Sequence, residues 1–314
     1  MRLSALFVAA ALSALALPVM AQNAAASATS AATSAAPVVS AAVPKAVISD
    51  PAPDPKFPAR LEVIHVPTGG VKINGIVMVA SGPGPHPTVV LFHGLPGNEK
   101  NLDLAQAIRR SGWNVVAVNY RGSWGSPGSY RFAQDLEDAT ATLAFVRDPA
   151  NARPLAIDPT RIVIMGHSLG GWVTTETLAK DDGVLGAAII SAGDLGMAGV
   201  GAKMDHKRVA AFMDDSRESL ADVTGDSMAD ELAAHGMEWT FATAAPKLVN
   251  RRLLVLYSND FVKDASEGLI RSVKAAGGTK IQSYYADTDH SWSERRIELE
   301  SVVVNWLQSL PNKP

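Results

Sequence analysis

The sequence predicts an α/β protein: a mostly parallel central sheet, helices on both of its faces, and a helix-prone insertion late in the sheet. Three observations carry this. From Arg60 onward, short apolar runs alternate with amphipathic stretches of helical period, the pattern of parallel strands joined by helical crossovers. One of those runs, RIVIM (161–165), breaks directly into GHSLGG (166–171), a sharp strand-to-helix turn. The alternation is interrupted once, between Asp194 and Lys247, by a polar, helix-prone stretch.

The chain opens with MRLSALFVAAALSALALPVMAQ. Arg2, the apolar segment Leu3–Leu17 and the small-residue site Val19-Met20-Ala21 predict a cleaved export signal over residues 1–21, and Pro18 ends a segment too short for a membrane span. Residues 22–59 are mostly Ala, Ser, Thr and Pro, which bury too little surface to offset their ordering entropy, and predict a flexible leader. One domain is expected over 60–314.

In that domain, LEVIHV (61–66) and VKINGIVMVA (71–80) read as paired strands around the turn at Pro67–Gly70. TVVLFHG (88–94) is a buried strand, 102–112 a helix stopped by Gly112, and WNVVAVNY (113–120) the next strand. RGSWGSPGSY (121–130) is a loop, read either as a brace or as a substrate contact, and 132–148 is a long helix. After the serine turn come a helix and the strand VLGAAIISAG (184–193). The interruption carries predicted helices at Lys207–Asp214 and Met228–Trp239. RLLVLYSND (252–260), a helix around 265–276, the strand KIQSYYAD (280–287) and a helix over 295–310 complete the order.

Hydrophobic residues make up 47% of the chain and charged residues 19%, enough for a sizeable core. A net charge of −3 gives no basic surface for nucleic acid. With no cysteine, disulfides, thiolate metal sites and a thiol nucleophile are excluded.

Ligand sites in open parallel sheets form beyond the carboxyl ends of the strands. The residues that directly follow the apolar runs are therefore the candidates: His93 and Gly94, Ser168, Asp260, and Asp287 to His290. GHSLG matches G-x-S-x-G, in which small residues at ±2 let strand and helix approach while the serine hydroxyl projects clear. Ser168 is the candidate nucleophile. A serine needs a base, and among seven histidines His290 follows the last strand, where a loop can carry it over Ser168. Asp260 is the candidate acid that orients it, with Asp264, Asp287 and Asp289 as alternatives. The N–H groups of Leu169 and of Leu95, in the loop HGLPG (93–97), are candidate oxyanion donors.

HGLPG, GHSLGG, the strand-ending Asp260 and the late His290 resemble the motifs of the α/β-hydrolase superfamily, in its order. YRGSWGSPGSY resembles, more faintly, the Arg-Gly-Ser loop of its prolyl-oligopeptidase and dienelactone-hydrolase-like branches. The resemblance implies a Ser-His-Asp triad, a backbone oxyanion hole, no cofactor or metal, and a cap at about 194–247. Serine rather than aspartate at the turn implies acyl transfer.

The expected protein is an exported serine hydrolase, periplasmic or secreted, with no stable membrane anchor after cleavage and a small-molecule ester or short peptide as substrate. A carboxylic ester is the first expectation. A peptidase, an amidase or an acyltransferase would use the same residues, and a catalytically silent binding module would keep the fold alone. Residues 205–238 hold nine Asp/Glu and three Lys/Arg, a local balance of −6, which reads as a solvated helix face or as a preference for cationic substrates.

Overall fold

In the computed structural model, which describes residues 40–311, eight strands form one sheet in the order β1-β2-β4-β3-β5-β6-β7-β8. They are β1 (Arg60–Thr68), β2 (Val71–Val79), β3 (His86–Phe92), β4 (Asn114–Val118), β5 (Ile157–His167), β6 (Gly186–Ile190), β7 (Leu253–Ser258) and β8 (Ile281–Ala286). β2 runs antiparallel to both β1 and β4, and all pairings from β4 to β8 are parallel. The helices are α1 (Lys45–Ile48), α2 (Leu102–Arg110), α3 (Phe132–Arg147), α4 (Pro149–Ala152), α5 (Leu169–Leu178), α6 (Leu195–Met204), α7 (His206–Asp214), α8 (Gly225–His235), α9 (Phe241–Ala244), α10 (Lys263–Ala275) and α11 (Arg296–Ser309).

The unbroken apolar runs arise because the central strands are covered on both faces. Successive side chains of a strand point to opposite sides. Val90, Phe92, Ile162 and Ile164 join one core with Leu143 of α3, Trp172 of α5 and Leu269 of α10. Val89, Leu91, Val163 and Met165 join the other with Leu104 and Ile108 of α2 and Val303 and Trp306 of α11. β5 starts earlier than its apolar run, because Ile157 pairs with His86 across a register shift.

The interruption between β6 and β7 is helical, as expected, and contains two helices the periodicity did not reveal, α6 and the short α9. α6 carries Gly196, Gly199 and Gly201, which lower helix propensity. A Cβ on Gly196 would lie 2.2 Å from the Thr240 nitrogen, and one on Gly199 2.1 Å from the Leu232 oxygen. The first two glycines are there for close packing.

The expected signal segment and the leader up to residue 39 lie outside the described residues. The rest of the expected leader, 40–59, departs from a free chain. Asn305 of α11 donates to the carbonyls of Ser40 and Ala42, and Arg110 of α2 to those of Ala46 and Val47. These bonds satisfy the backbone of a segment with few large apolar residues of its own. Among the described residues, no helix is long and apolar enough to cross a membrane.

Candidate active site

β5 delivers Ser168 to the carboxyl edge of the sheet, and α5 begins at the next residue. Ser168 sits at φ +57, a conformation a non-glycine residue rarely adopts without a surrounding structure that enforces it. That enforcement is visible. Ser168 N–H donates to Ile190 O at 2.9 Å, and Ser168 O accepts from Gly171 N–H at 3.0 Å. A Cβ on Gly166 would lie 1.9 Å from Gly170 O, and one on Gly170 2.2 Å from Phe92 O. The glycines at ±2 are thus the only residues that let β3, β5 and α5 converge under the serine.

Asp260 leaves the end of β7 and His290 the loop after β8. Parallel pairing sets Ser258 against Ala286, so the two loops emerge side by side. His290 Nδ1 and Asp260 Oδ2 are 2.8 Å apart, and the Asp260 side chain is only 3% exposed. Burial works against the Asp260 charge, but hydrogen bonds from His290 and Ser258 prevail and hold its carboxyl below the usual range. The carboxylate accepts at Nδ1, which fixes the proton there and leaves Nε2 with a free lone pair. Asp264 and Asp287 are exposed, and Asp289 accepts from Ser293, so Asp260 alone of the four candidates reaches His290.

Four supporting groups were not legible in the sequence. Trp292 Nε1 donates to Ser191 Oγ at 3.1 Å, Ser191 and Ser258 are 3.0 Å apart, and Ser258 Oγ donates to Asp260 Oδ2 at 2.8 Å. Since Ser258 spends its proton on Asp260, Ser191 must donate to Ser258. The only advance signal is that Ser191 and Ser258 close two core strands. His167 is the fourth. Its Nε2 donates to the His290 carbonyl at 2.9 Å, and its ring lies 4.7 Å from the His290 ring. Burial, then the nearby His290, push the His167 pKa down to about 4. Phe261 covers His290 as well, again at 4.7 Å.

The HGLPG loop faces the serine. Gly94 makes this possible, since a Cβ there would stand 3.0 Å from Ser168 Cβ. His93 Nδ1 donates to Gly94 O at 2.8 Å, and burial lowers the His93 pKa to about 4. In a trans peptide the N–H opposes the C=O, so this bond aims Leu95 N–H away from His93. Among the described residues, neither Leu95 N–H nor Leu169 N–H has a hydrogen-bond partner. The other histidines lie elsewhere: His65 meets Asn74, His86 meets Gly82 O, His206 meets Asp230, and His235 stacks on Trp239.

Ser168, Leu95, Leu169 and His290 line one cavity of about 500 Å³. Its walls are mainly apolar, with Phe132, Leu195, Ala198, Phe212, Met213, Phe261 and Val262. Asp194 is its one acidic lining residue, and it is occupied as the cap of α6, accepting from Met197 N–H and Phe241 N–H. Several carboxylates of the insertion are turned to structural partners: Glu231 accepts from the Phe132 and Ala133 N–H groups, Asp214 from Arg217 and Gly225, and Asp222 from Ser129. The loop 120–130 is a brace. Arg121 is buried in an ion pair with Asp138 at 2.7 Å, and Ala221 N–H donates to Gly122 O at 2.7 Å.

The sequence profile of the alpha/beta hydrolase family matches residues 89–301, and the chain belongs to that family. Its fold is likewise that of the alpha/beta hydrolases. It superposes on an acylaminoacyl peptidase of Pyrococcus horikoshii with TM-score 0.61 and 17% identity, over 82% of this chain and 42% of the other. An esterase of Pyrococcus furiosus gives TM-score 0.59 and 15% identity, over 83% and 97%. Among characterised sequences, acylamino-acid-releasing enzyme 1 of Oryza sativa subsp. japonica is 30% identical over 113 residues, 32% of this chain and 14% of that protein. The quorum-quenching protein AidA of Acinetobacter baumannii is 35% identical over 111 residues, 33% of this chain and 34% of that one. This chain therefore spans less than half of each of these two relatives and of the peptidase.

Proposed function

We propose that the protein is a serine hydrolase that cleaves carboxylic esters with an apolar acyl group, through an acyl intermediate on Ser168. One observation carries the reading: Ser168, held at the strand end, opens into the same apolar cavity as His290, whose Nδ1 is bonded to a buried carboxylate. In this mechanism His290 Nε2 takes the Ser168 proton as Oγ attacks the ester carbonyl, and Asp260 stabilises the imidazolium. Leu95 N–H and Leu169 N–H receive the oxyanion, the second at the N-terminus of α5, where the helix dipole favours negative charge. Collapse expels the alcohol, which takes the proton from His290. Water, deprotonated by the same imidazole, then releases the acid.

The cavity wall favours an ester over a peptide, because a bound peptide backbone would bring polar groups against mostly apolar side chains that cannot pair with them. The likeness to acylaminoacyl peptidases supports a peptide bond as the second reading. A fluorophosphonate probe tests the chemistry. The expected adduct maps to Ser168, disappears in Ser168→Ala and forms much more slowly in His290→Ala. Folded protein that takes no label would point instead to a binding module. Turnover of nitrophenyl esters against peptide nitroanilides separates the two substrate readings.

We also propose that the protein is exported and cleaved after Ala21, on the strength of its N-terminal composition. N-terminal sequencing of the protein recovered from a bacterial periplasm or culture medium would begin at Gln22. An intact Met1 would end the proposal.

A further inference from the structure

The carbonyl of Pro96, one residue beyond Leu95, accepts hydrogen bonds from two side chains distant in sequence. One is Trp124 Nε1, from the brace loop, and the other Ser219 Oγ at 3.0 Å, from the cap segment between α7 and α8. Neither bond is needed to hold its own segment. The cap segment is already paired with the brace through its backbone: Trp124 N–H donates to Ser219 O at 3.1 Å, Ser123 bridges Leu220, and Tyr130 N–H donates to Ala221 O at 3.0 Å. The two side chains reach past this pairing to the HGLPG loop.

The arrangement carries a conformational cost. Trp124 sits at φ +48, a left-handed conformation that is strained for a bulky residue. Its indole is interlocked with the loop. A Cβ on Gly97, at φ +92, would lie 2.4 Å from His93 Nδ1 and 2.9 Å from Trp124 Nε1. The Lys100 ammonium stands 4.3 Å from the centre of the indole ring, and Asn98 donates to Glu218 of the cap at 3.0 Å. Leu95 thus lies between two anchored carbonyls. Gly94 O is held by His93 of the same loop, and Pro96 O is held from outside it.

We propose that Trp124 and Ser219 are positioning residues that set the direction of Leu95 N–H, so that the oxyanion donor is in place when the cap is seated. This rests on the reading of Leu95 as an oxyanion donor for attack by Ser168. Without the outer anchor, Leu95 is held close by only on its Gly94 side, by His93, and the Gly94–Leu95 peptide can tilt about that single bond. Because Ser219 belongs to the cap, seating the cap and assembling the donor pair become one event.

The test compares Trp124→Phe, Ser219→Ala, Ser219→Thr and the Trp124→Phe/Ser219→Ala double variant on p-nitrophenyl butyrate, with Ser168→Ala alongside. Deleting an oxyanion donor costs about 10²–10³ in turnover, so misdirecting one should lower kcat by about 10-fold in each single variant and about 100-fold in the double, with KM within about twofold. Ser219→Thr, which keeps the hydroxyl, should return to within about threefold of wild type. Fluorophosphonate labelling of Ser168 should slow in parallel, since the phosphonyl oxygen uses the same donors. Wild-type kcat in the double variant, or a loss confined to KM or matched by Ser219→Thr, would overturn the proposal. Turnover that survives Ser168→Ala would instead remove the reading on which it rests.

Discussion

The two walls of the cleft are built on different principles. The sheet-edge wall carries Ser168, Asp260 and His290, each within a few residues of a strand end, and parallel pairing leaves their backbones little freedom. The cap wall supplies Leu195, Ala198, Phe212 and Met213, and it is tied to the rest of the molecule largely by side chains and by a short pairing with the brace loop. Groups that must meet within hydrogen-bond distance stand on the ladder. Groups that only shape the cavity stand on helices of the insertion, away from the ladder. Phe212 and Phe261, 55% and 69% exposed, line the cavity from the two walls.

If that division holds, damage to the sheet-edge wall should cost chemistry and damage to the cap should cost shape or seating. The largest effect should come from Ser168→Ala, with kcat on a nitrophenyl ester down by about 10⁵-fold or more and KM little changed. Asp260→Asn keeps the shape but alters the hydrogen bond that fixes the imidazole, and should cost about 10⁴-fold. An Asp260→Asn variant within tenfold of wild type would show that the bond to His290 is structural.

The sheet-edge wall should also be the acid-sensitive one. His93 and His167 are held neutral in the fold, with pKa values pushed down to about 4, whereas the unfolded chain takes up their protons near 6.5. Each therefore costs no stability above about pH 6.5, and stability falls as pH drops from there toward 4, by up to about 3 kcal/mol per histidine. Urea unfolding between pH 4.5 and 7.5 should show this slope, and His93→Gln/His167→Gln should flatten it. An unchanged slope in that variant would locate the acid sensitivity elsewhere.

A smaller loss of the same order should follow Gly170→Ala, whose Cβ would lie 2.2 Å from Phe92 O. Pressing strand and helix apart there should cost about 3 kcal/mol, and labelling of Ser168 should slow with it. The mildest test falls on the cap. Glu231 of α8 accepts from the first N–H groups of α3, whose own N-cap residue, Arg131, makes no such bond. Glu231→Ala should cost about 1–2 kcal/mol by analogy with loss of a helix cap. Its signature should be loosened seating of the cap, read as faster proteolysis between α7 and α8. Unaltered proteolysis would mean that the brace loop alone seats the cap.

Ser168, its flanking glycines, the order of strands and helices, and the late histidine were all legible in the sequence. Each depends on local periodicity or on a turn that only certain residues can make. The balance of −6 in the insertion was legible as a number but not in meaning, because whether a carboxylate faces solvent, a cavity or a helix N-terminus is decided by what packs beside it. The choice of Asp260 over Asp264, Asp287 and Asp289 waited on the pairing of β7 with β8. The attachment of residues 40–59, the glycine-bearing α6, the serine chain behind Asp260 and the grip of His167 on a residue 123 positions away were invisible for the same reason. Sequence by itself determined the strands, the helices that cross between them and what chemistry each strand end can offer, since those follow from neighbours along the chain. Which of these groups meet was decided only by the tertiary structure, because a hydrogen bond depends on distances that the spacing along the chain does not contain.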